Sequence, residues 1–223
     1  MERHFDEELN DLKHQLVKMC ALAETMIGDA IKALVQRNEA ALAHIQEQET
    51  EVNRLQVEID EMCFRMIALR QPTASDLRYI LGASKTNTDL ERLADQAINI
   101  SNKALRLMQQ QPLKPFVIIP QMTELARGMV HDALHAYVNR QPDKAREVIQ
   151  RDAQLNALKK EINAEMVGFM QRDPSTVPYA LDIVLVAHNL ERIGDHAKNI
   201  AENAIFVIEG KDIRHGTELH PPA

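Results

Sequence analysis

The chain has 223 residues, a formal net charge of −7 and only 4% aromatic residues. No run of Lys or Arg is long enough to track a phosphate backbone, so nucleic acid is not an expected partner. No apolar stretch approaches the ~20 residues that span a bilayer. The N-terminus lacks the basic start and apolar centre of a secretory signal, so we expect a cytoplasmic protein.

An all-α fold is predicted, because the chain contains only seven Gly and nine Pro among many Ala, Leu, Glu and Gln residues. Pro72 cannot continue a helix, and the hydroxyl of Thr73 or Ser75 can cap the helix that follows. The pattern in the first half predicts three helices, over residues 6–36, 39–69 and 74–108.

An internal duplication relates the two halves of the chain. Residues 89–100 return as 189–200 with seven of the twelve positions identical, whereas ordinary amino-acid usage would give about one match. Asp29 and the segment after it likewise match Asp132 and its segment at an offset of 103. Core packing alone would keep the apolar positions, but here the polar residues are kept as well, which indicates a site that is present twice.

The duplication predicts two tandem three-helix bundles. Residues 109–115 form a polar stretch interrupted by Pro, and they place the boundary between the halves. The expected domains are therefore residues 1–111 and 112–223. The tail from residue 210 onward has no apolar periodicity, and we expect it to be loosely ordered.

Acidic residues spaced four apart line one face of the last helix in each half. Leu and Ile residues between them fall on the opposite side and can enter a core. We name the two faces the first acidic stripe (Glu91, Asp95 and Asn99) and the second acidic stripe (Glu191, Asp195 and Asn199).

Like charges at this spacing cost a few tenths of a kcal/mol and require a positive partner. One interpretation is an ordinary surface ion pair with Arg92 or Arg192, each three residues before an Asp. The other is a divalent or ferric cation, such as magnesium, manganese, iron or zinc, held by carboxylate and amide oxygens. Spacing alone favours the ion pair, but the duplication shifts the preference to a metal site.

Asp29 and Asp132 are a further matched pair of acids, located near the end of the first helix of each half. Each could bring a carboxylate toward the acidic stripe of its own half. The alternative is that both lie on a solvated helix face. We include them among the candidate metal ligands.

No enzyme is predicted. The chain lacks the Gly-x-x-x-x-Gly-Lys loop of nucleotide hydrolases, the Gly-x-Gly-x-x-Gly turn and the His-Glu-x-x-His zinc motif. It also lacks the Glu-x-x-His spacing of di-iron bundles.

In these features the chain resembles the PhoU family, whose members are accessory proteins of phosphate-specific transport. The resemblance spans nearly the whole chain and is carried by the two Glu-x-x-x-Asp motifs, by the turn from Arg70 to Arg78 and by the stretch from Gly210 to His215. It implies two three-helix bundles, metal binding at the acidic stripes and no catalysis. It also implies negative regulation of the phosphate-starvation response, through a phosphate-sensing histidine kinase and the ATPase subunit of the phosphate ABC transporter.

Further expectations follow from this resemblance and from the residues. The protein would reach the membrane only through its partners, and long amphipathic helices make a homodimer plausible. Asn189 replaces Asp89 and Gly194 replaces Ala94, so the second stripe is expected to bind metal more weakly. The alternatives are a metal-buffering helical bundle without a regulatory partner and a structural dimerisation module.

Overall fold

The computed structural model describes residues 2–114 and 116–213, with side chains from residue 5 onward. Within them it contains six α-helices and no strand, which confirms the all-α prediction. Most of the predicted loose tail lies outside the described residues. The helices are α1 (Glu2–Gln36), α2 (Ile45–Arg70), α3 (Ala74–Met108), α4 (Ile118–Val138), α5 (Pro142–Arg172) and α6 (Val177–Glu209).

Two local predictions were wrong. The second helix begins at Ile45 instead of residue 39, because the side chain of Asn38 accepts the N–H of Ala40 and a separate 3-10 helix forms over Glu39–Leu42. Thr73 precedes α3 as expected, but its side chain accepts no backbone N–H. Its hydroxyl instead donates to Asp76 at 2.7 Å.

The last helices of the two halves, α3 and α6, pack against each other in antiparallel orientation. Asn203 Nδ2 donates to the carbonyl of Gly82 at 2.8 Å near one end of this pair. Arg106 forms an ion pair with Asp182 near the other end. Because α1 and α4 also pack together, each half contributes two helices to the contact.

The buried apolar residues of all six helices form one continuous cluster, which is mainly aliphatic. Tyr79 of α3 and Tyr137 of α4 are both buried, with ring centroids 5.0 Å apart. The hydroxyl of Tyr137 donates to the carbonyl of Tyr79 at 2.6 Å. This shared core holds the two acidic stripes in a fixed relation to each other.

Candidate functional site

The first acidic stripe has no positive partner. Glu91 is half-buried, whereas Asp95 and Asn99 are exposed. Neither carboxylate forms a hydrogen bond or an ion pair with any other residue of the described part of the chain. Burial, followed by the negative charge of Asp95, raises the pKa of Glu91. Arg92 and His196 oppose this rise only at longer range, so no ion pair with a described residue compensates the stripe.

The second acidic stripe lies in the groove between α5 and α6, and its Glu191 is compensated, whereas Asp195, like Asp95, forms no ion pair with a described residue. Glu191 lies 2.8 Å from the ammonium group of Lys159 and 3.1 Å from His188 Nδ1. Asp195 reaches solvent, but partial burial, followed by the charges of Glu191 and Asp152, raises its pKa. The groove therefore contains three carboxylates, those of Glu191, Asp195 and Asp152. Helix α5 provides the acid Asp152 and the cation Lys159.

A second lysine lies in the same groove. Lys198 of α6 lies 3.3 Å from Asp152 Oδ2, which also accepts a hydrogen bond from Asn156 at 3.2 Å. The other oxygen, Asp152 Oδ1, is buried without a hydrogen-bond partner in the structure. The second stripe thus holds its own counter-ions together with one unsatisfied carboxylate oxygen.

The ion pairs with the neighbouring arginines are not formed. Arg92 and Arg192 are both exposed, and neither lies within ion-pair distance of an acid in the described residues. Arg92 acts only at longer range, where its charge opposes the rise in the pKa of Glu91. The interpretation as an ordinary local ion pair therefore does not account for either stripe.

The cations that distinguish the stripes were visible in the sequence but were not predicted. At the offset of 103, Lys159 aligns with Gln56, and at the offset of 100, Lys198 aligns with Ile98. Asp152 aligns with the half-buried Glu49 at the offset of 103, so a third acid recurs in both halves. Aligning α2 with α5 shows that Lys159 has no counterpart in the first half. Its importance becomes clear only once it is known that these helices pack beside the stripes.

The two asparagines of the stripes differ in what they contact. Asn199 Nδ2 donates to Asp89 Oδ1 at 3.2 Å, and His196 Nδ1 lies 3.0 Å from the same oxygen. Both contacts reach from α6 across to α3, so Asn199 lies at the contact between these two helices. Asn99 is exposed.

Asp132 and Asp29 are not brought into contact with the stripes. Asp132 forms ion pairs with Lys144 at 2.8 Å and with Arg151 at 2.7 Å. Burial alone would raise the pKa of Asp132, but hydrogen bonds from Lys144 and Arg151 lower it. Asp29 is half-buried on α1 and forms no hydrogen bond or ion pair with a described residue. Metal ligation by either residue stays a prediction.

The first stripe offers oxygen donors for a hard cation. Among the described residues, no three His, Cys, Asp or Glu side chains form a ready metal cage. Two carboxylates one helical turn apart nevertheless suit an ion such as magnesium, which usually keeps several waters and takes only one or two carboxylates from a protein. Glu91 and Asp95 fit that requirement, because no cation of the described residues forms an ion pair with them. Lys159 occupies the corresponding position beside Glu191.

Packing explains one difference between the motifs. A Cβ atom added at Gly194 would lie 2.3 Å from Leu155 Cδ2, well inside van der Waals contact. The first half has Ala94 at this position, where the side chain is buried without such a neighbour. Gly194 therefore lets α5 and α6 approach closely beside the second stripe.

Similarity to a known protein family supports the internal repeat. The family model described as the PhoU domain matches residues 16–104 and again residues 119–204. The chain belongs to the PhoU family. The two matches coincide with the two halves that the duplication relates, and each contains one acidic stripe.

Curated relatives support the same assignment over nearly the full chain. A phosphate-specific transport system accessory protein PhoU homolog of Pseudomonas putida is 35% identical over 216 residues, covering 96% of this chain and 84% of the relative. The phosphate-specific transport system accessory protein PhoU of Escherichia coli is 34% identical over 217 residues, covering 96% and 90%.

Solved PhoU structures share the fold. The crystal structure of PhoU from Pseudomonas aeruginosa superposes with a TM-score of 0.89 at 35% identity, covering 92% of this chain and 99% of that chain. The phosphate transport system regulatory protein PhoU from Streptococcus pneumoniae gives a TM-score of 0.86 at 27% identity, covering 93% and 98%.

Proposed function

We propose that this chain is a negative regulator of the phosphate-starvation response and a modulator of phosphate ABC transport. The observation that carries the proposal is its similarity, over nearly the whole chain, to proteins named as accessory to the phosphate-specific transport system. It acts without catalysis, by contact with a phosphate-sensing histidine kinase and with the ATPase subunit of the transporter.

Both acidic stripes are proposed metal-binding surfaces, and the first stripe is also the proposed partner contact. The uncompensated carboxylates of the first stripe attract a positively charged partner or a hard cation. A bound cation would be held by Glu91 and Asp95 in the first stripe, and by Glu191 and Asp195 in the second, with its charge cancelling theirs. Because cancelling these charges changes which partner surface is complementary, metal supply could influence partner choice.

The proposal places the protein in the cytoplasm, at the membrane only through its partners. Within residues 2–114 and 116–213, no helix is both long and apolar enough to cross a bilayer. We also keep as proposals a homodimer and a boundary between residues 111 and 112.

The test begins with deletion of the gene and measurement of alkaline phosphatase in phosphate-rich medium. We expect high activity without the gene and low activity after its restoration. A variant with Glu91, Asp95, Glu191 and Asp195 all changed to Ala should fail to restore repression while circular dichroism shows unchanged helicity. The matched control changes the strongly exposed acids Glu47, Glu124 and Asp143 to Ala, and should restore repression. Full repression by the quadruple variant would contradict the proposal.

The same experiment separates the alternatives. A metal-buffering bundle without a regulatory partner predicts unchanged phosphatase activity on deletion, together with tight metal binding that is indifferent to phosphate supply. A structural dimerisation module predicts that the acidic stripes are dispensable and that the quadruple variant behaves like the parent protein.

A further inference from the structure

Large apolar side chains are exposed on the neighbouring helices α2 and α3. Phe64 exposes 78% of its surface, Val57 exposes 59% and Leu81 exposes 47%. An exposed Phe on a chain with 4% aromatic residues is unusual, since aromatic side chains contribute most to cores and interfaces. Clustered exposure of this kind marks an interaction surface more often than scattered apolar residues do.

This apolar surface continues directly into the first acidic stripe. On α2, Val57, Asp60 and Phe64 are spaced three and four apart. On α3, spacings of three and four alternate along Leu81, Ser84, Thr88, Glu91 and Asp95. Such spacing keeps residues on one face of a helix. The hydroxyl of Ser84 donates to Asp60 Oδ1 at 2.8 Å, which shows that the two faces adjoin.

The adjoining faces of α2 and α3 therefore form one surface with an apolar end and an acidic end. We name it the α2–α3 groove and define it by Val57, Phe64, Leu81, Glu91 and Asp95. The 14 residues from Leu81 to Asp95 rise about 21 Å along α3, the length of about four helical turns.

We infer that the α2–α3 groove docks an amphipathic, basic helix of a partner protein. Apolar residues of that helix pack on Phe64 and Leu81 at one end, and its Lys or Arg residues face Glu91 and Asp95 at the other. Helices of this kind commonly bind in apolar grooves through residues spaced three and four apart. The inference rests on the proposed function, because it takes the first acidic stripe as a partner contact.

Charge complementarity selects this occupant. Glu91 and Asp95 have no cation partner among the described residues, so a basic segment would compensate charge that the protein leaves open. A second copy docked through the same groove about a two-fold axis would bring the same patch against itself. The residues that define the groove include no Lys or Arg, so a second copy in that arrangement would leave both acidic stripes without a cation.

The second half serves as an internal comparison. Its corresponding apolar residues, Val167 and Leu181, are also exposed, at 47% and 50%. However, Lys160 stands where the first half has Val57, and Lys159 already neutralises Glu191. A basic helix would meet cations along this groove, so docking is assigned to the first half.

The test uses the full chain and a synthetic 18-residue helical peptide of Leu and Lys, with a Leu and Glu peptide of the same pattern as control. We expect the Lys peptide to bind, with an affinity that falls as salt is raised, and the Glu peptide not to bind. Phe64→Ser with Leu81→Ser should weaken binding about tenfold, which corresponds to ~1.4 kcal/mol. Val167→Ser with Leu181→Ser is the matched control and should change the affinity less than about twofold.

The acidic end of the α2–α3 groove is tested separately. Gln56→Lys installs the cation of the second half beside the first stripe, and should also weaken the Lys peptide about tenfold. Both sets of positions are exposed or half-buried, so the variants should keep their helicity. Equal loss in the two halves, or no loss on changing Phe64 and Leu81, would overturn the inference.

Two further outcomes are distinguishable. If Phe64→Ser with Leu81→Ser converts a dimer into a monomer in analytical ultracentrifugation, a second copy covers the groove and the partner inference is wrong. If this variant loses the peptide but still represses alkaline phosphatase fully, the inference fails while the proposed function stands. If the stripe quadruple variant represses fully, the proposed function itself fails, whatever the peptide shows.

Discussion

The two acidic stripes share their motif and their place on the central helices, but they differ in their surroundings. Glu191 has Lys159 at 2.8 Å, and Asp152 has Lys198 at 3.3 Å, whereas Glu91 and Asp95 have no cation partner among the described residues. The motif alone therefore does not determine the electrostatics of the site. Residues on the neighbouring helix decide whether the carboxylates are already satisfied or remain available to an external cation.

The difference extends to packing. Gly194 allows Leu155 of α5 to pack directly against α6, whereas Ala94 occupies the corresponding space in the first half. The second half therefore combines close helix packing with internal ion pairs, as expected of a mainly structural site. Both halves expose apolar residues on these helices, but only the first leaves its motif Glu without an ion pair to a described residue, as expected of a binding site.

The largest expected effect concerns that packing. Gly194→Ala should lower the free energy of unfolding by about 2 kcal/mol, because the roughly 3 kcal/mol cost of forcing its Cβ against the buried Leu155 exceeds the roughly 1 kcal/mol gained in helix propensity. Ala94→Gly, the reverse change in the first half, should cost about 1 kcal/mol through helix propensity. Urea denaturation of both variants measures the comparison. A Gly194→Ala protein as stable as the parent would show that α5 and α6 are not held this closely.

The second prediction concerns metal affinity. The first stripe should bind manganese(II) about tenfold more tightly than the second, because no lysine competes for Glu91 and Asp95. Titration followed by electron paramagnetic resonance can compare a variant lacking Glu91 and Asp95 with one lacking Glu191 and Asp195. Equal affinity in the two variants would mean that the lysines do not control metal binding.

The third prediction exchanges the cation between halves. Gln56→Lys should weaken manganese binding at the first stripe about fivefold, and Lys159→Gln should strengthen it at the second by a similar factor. Titrations of the two single variants provide the measurement, and Lys211→Gln, at an exposed position after α6, is the control. Changes in the same direction in both variants would point to a general charge effect.

The smallest effect is a pH dependence of stability. Because the folded-state pKa of Glu91 is raised, its ionised form destabilises the fold above that pKa, and the penalty disappears as pH falls through the folded pKa toward the unfolded value. Glu91→Gln should therefore be more stable than the parent by about 0.3 kcal/mol at neutral pH. The advantage should vanish below about pH 4, where the carboxyl is protonated in both states. Urea denaturation across this range tests the sign, and a variant that is less stable at neutral pH would contradict it.

Much of the fold was predictable because the sequence repeats. Helix periodicity, Pro72 and the duplicated motifs indicate three helices in each half, and the six observed helices agree except at the start of α2. Asn38 accounts for that difference, because its side-chain oxygen accepts a hydrogen bond from the N–H of Ala40. Helix periodicity does not predict such a local hydrogen bond.

The site was less predictable, because helix periodicity gives the faces of a helix but not their neighbours. The spacing of Glu91 and Asp95 correctly indicated a common face, but it could not show which helix lies beside it. Lys159 is 32 residues from Glu191 in the sequence and 2.8 Å from it in space. Asp132 was grouped with the stripe by its repeat, and the structure pairs it with Lys144 and Arg151 instead.

The central claim is that the open stripe carries the regulatory contact and that the compensated stripe does not. The most direct measurement is alkaline phosphatase activity in phosphate-rich medium, in cells whose only copy of this gene carries either Glu91→Ala with Asp95→Ala or Glu191→Ala with Asp195→Ala. The account predicts loss of repression in the first strain and nearly full repression in the second, at equal protein levels. Full repression in the first strain, or greater loss in the second, would contradict it.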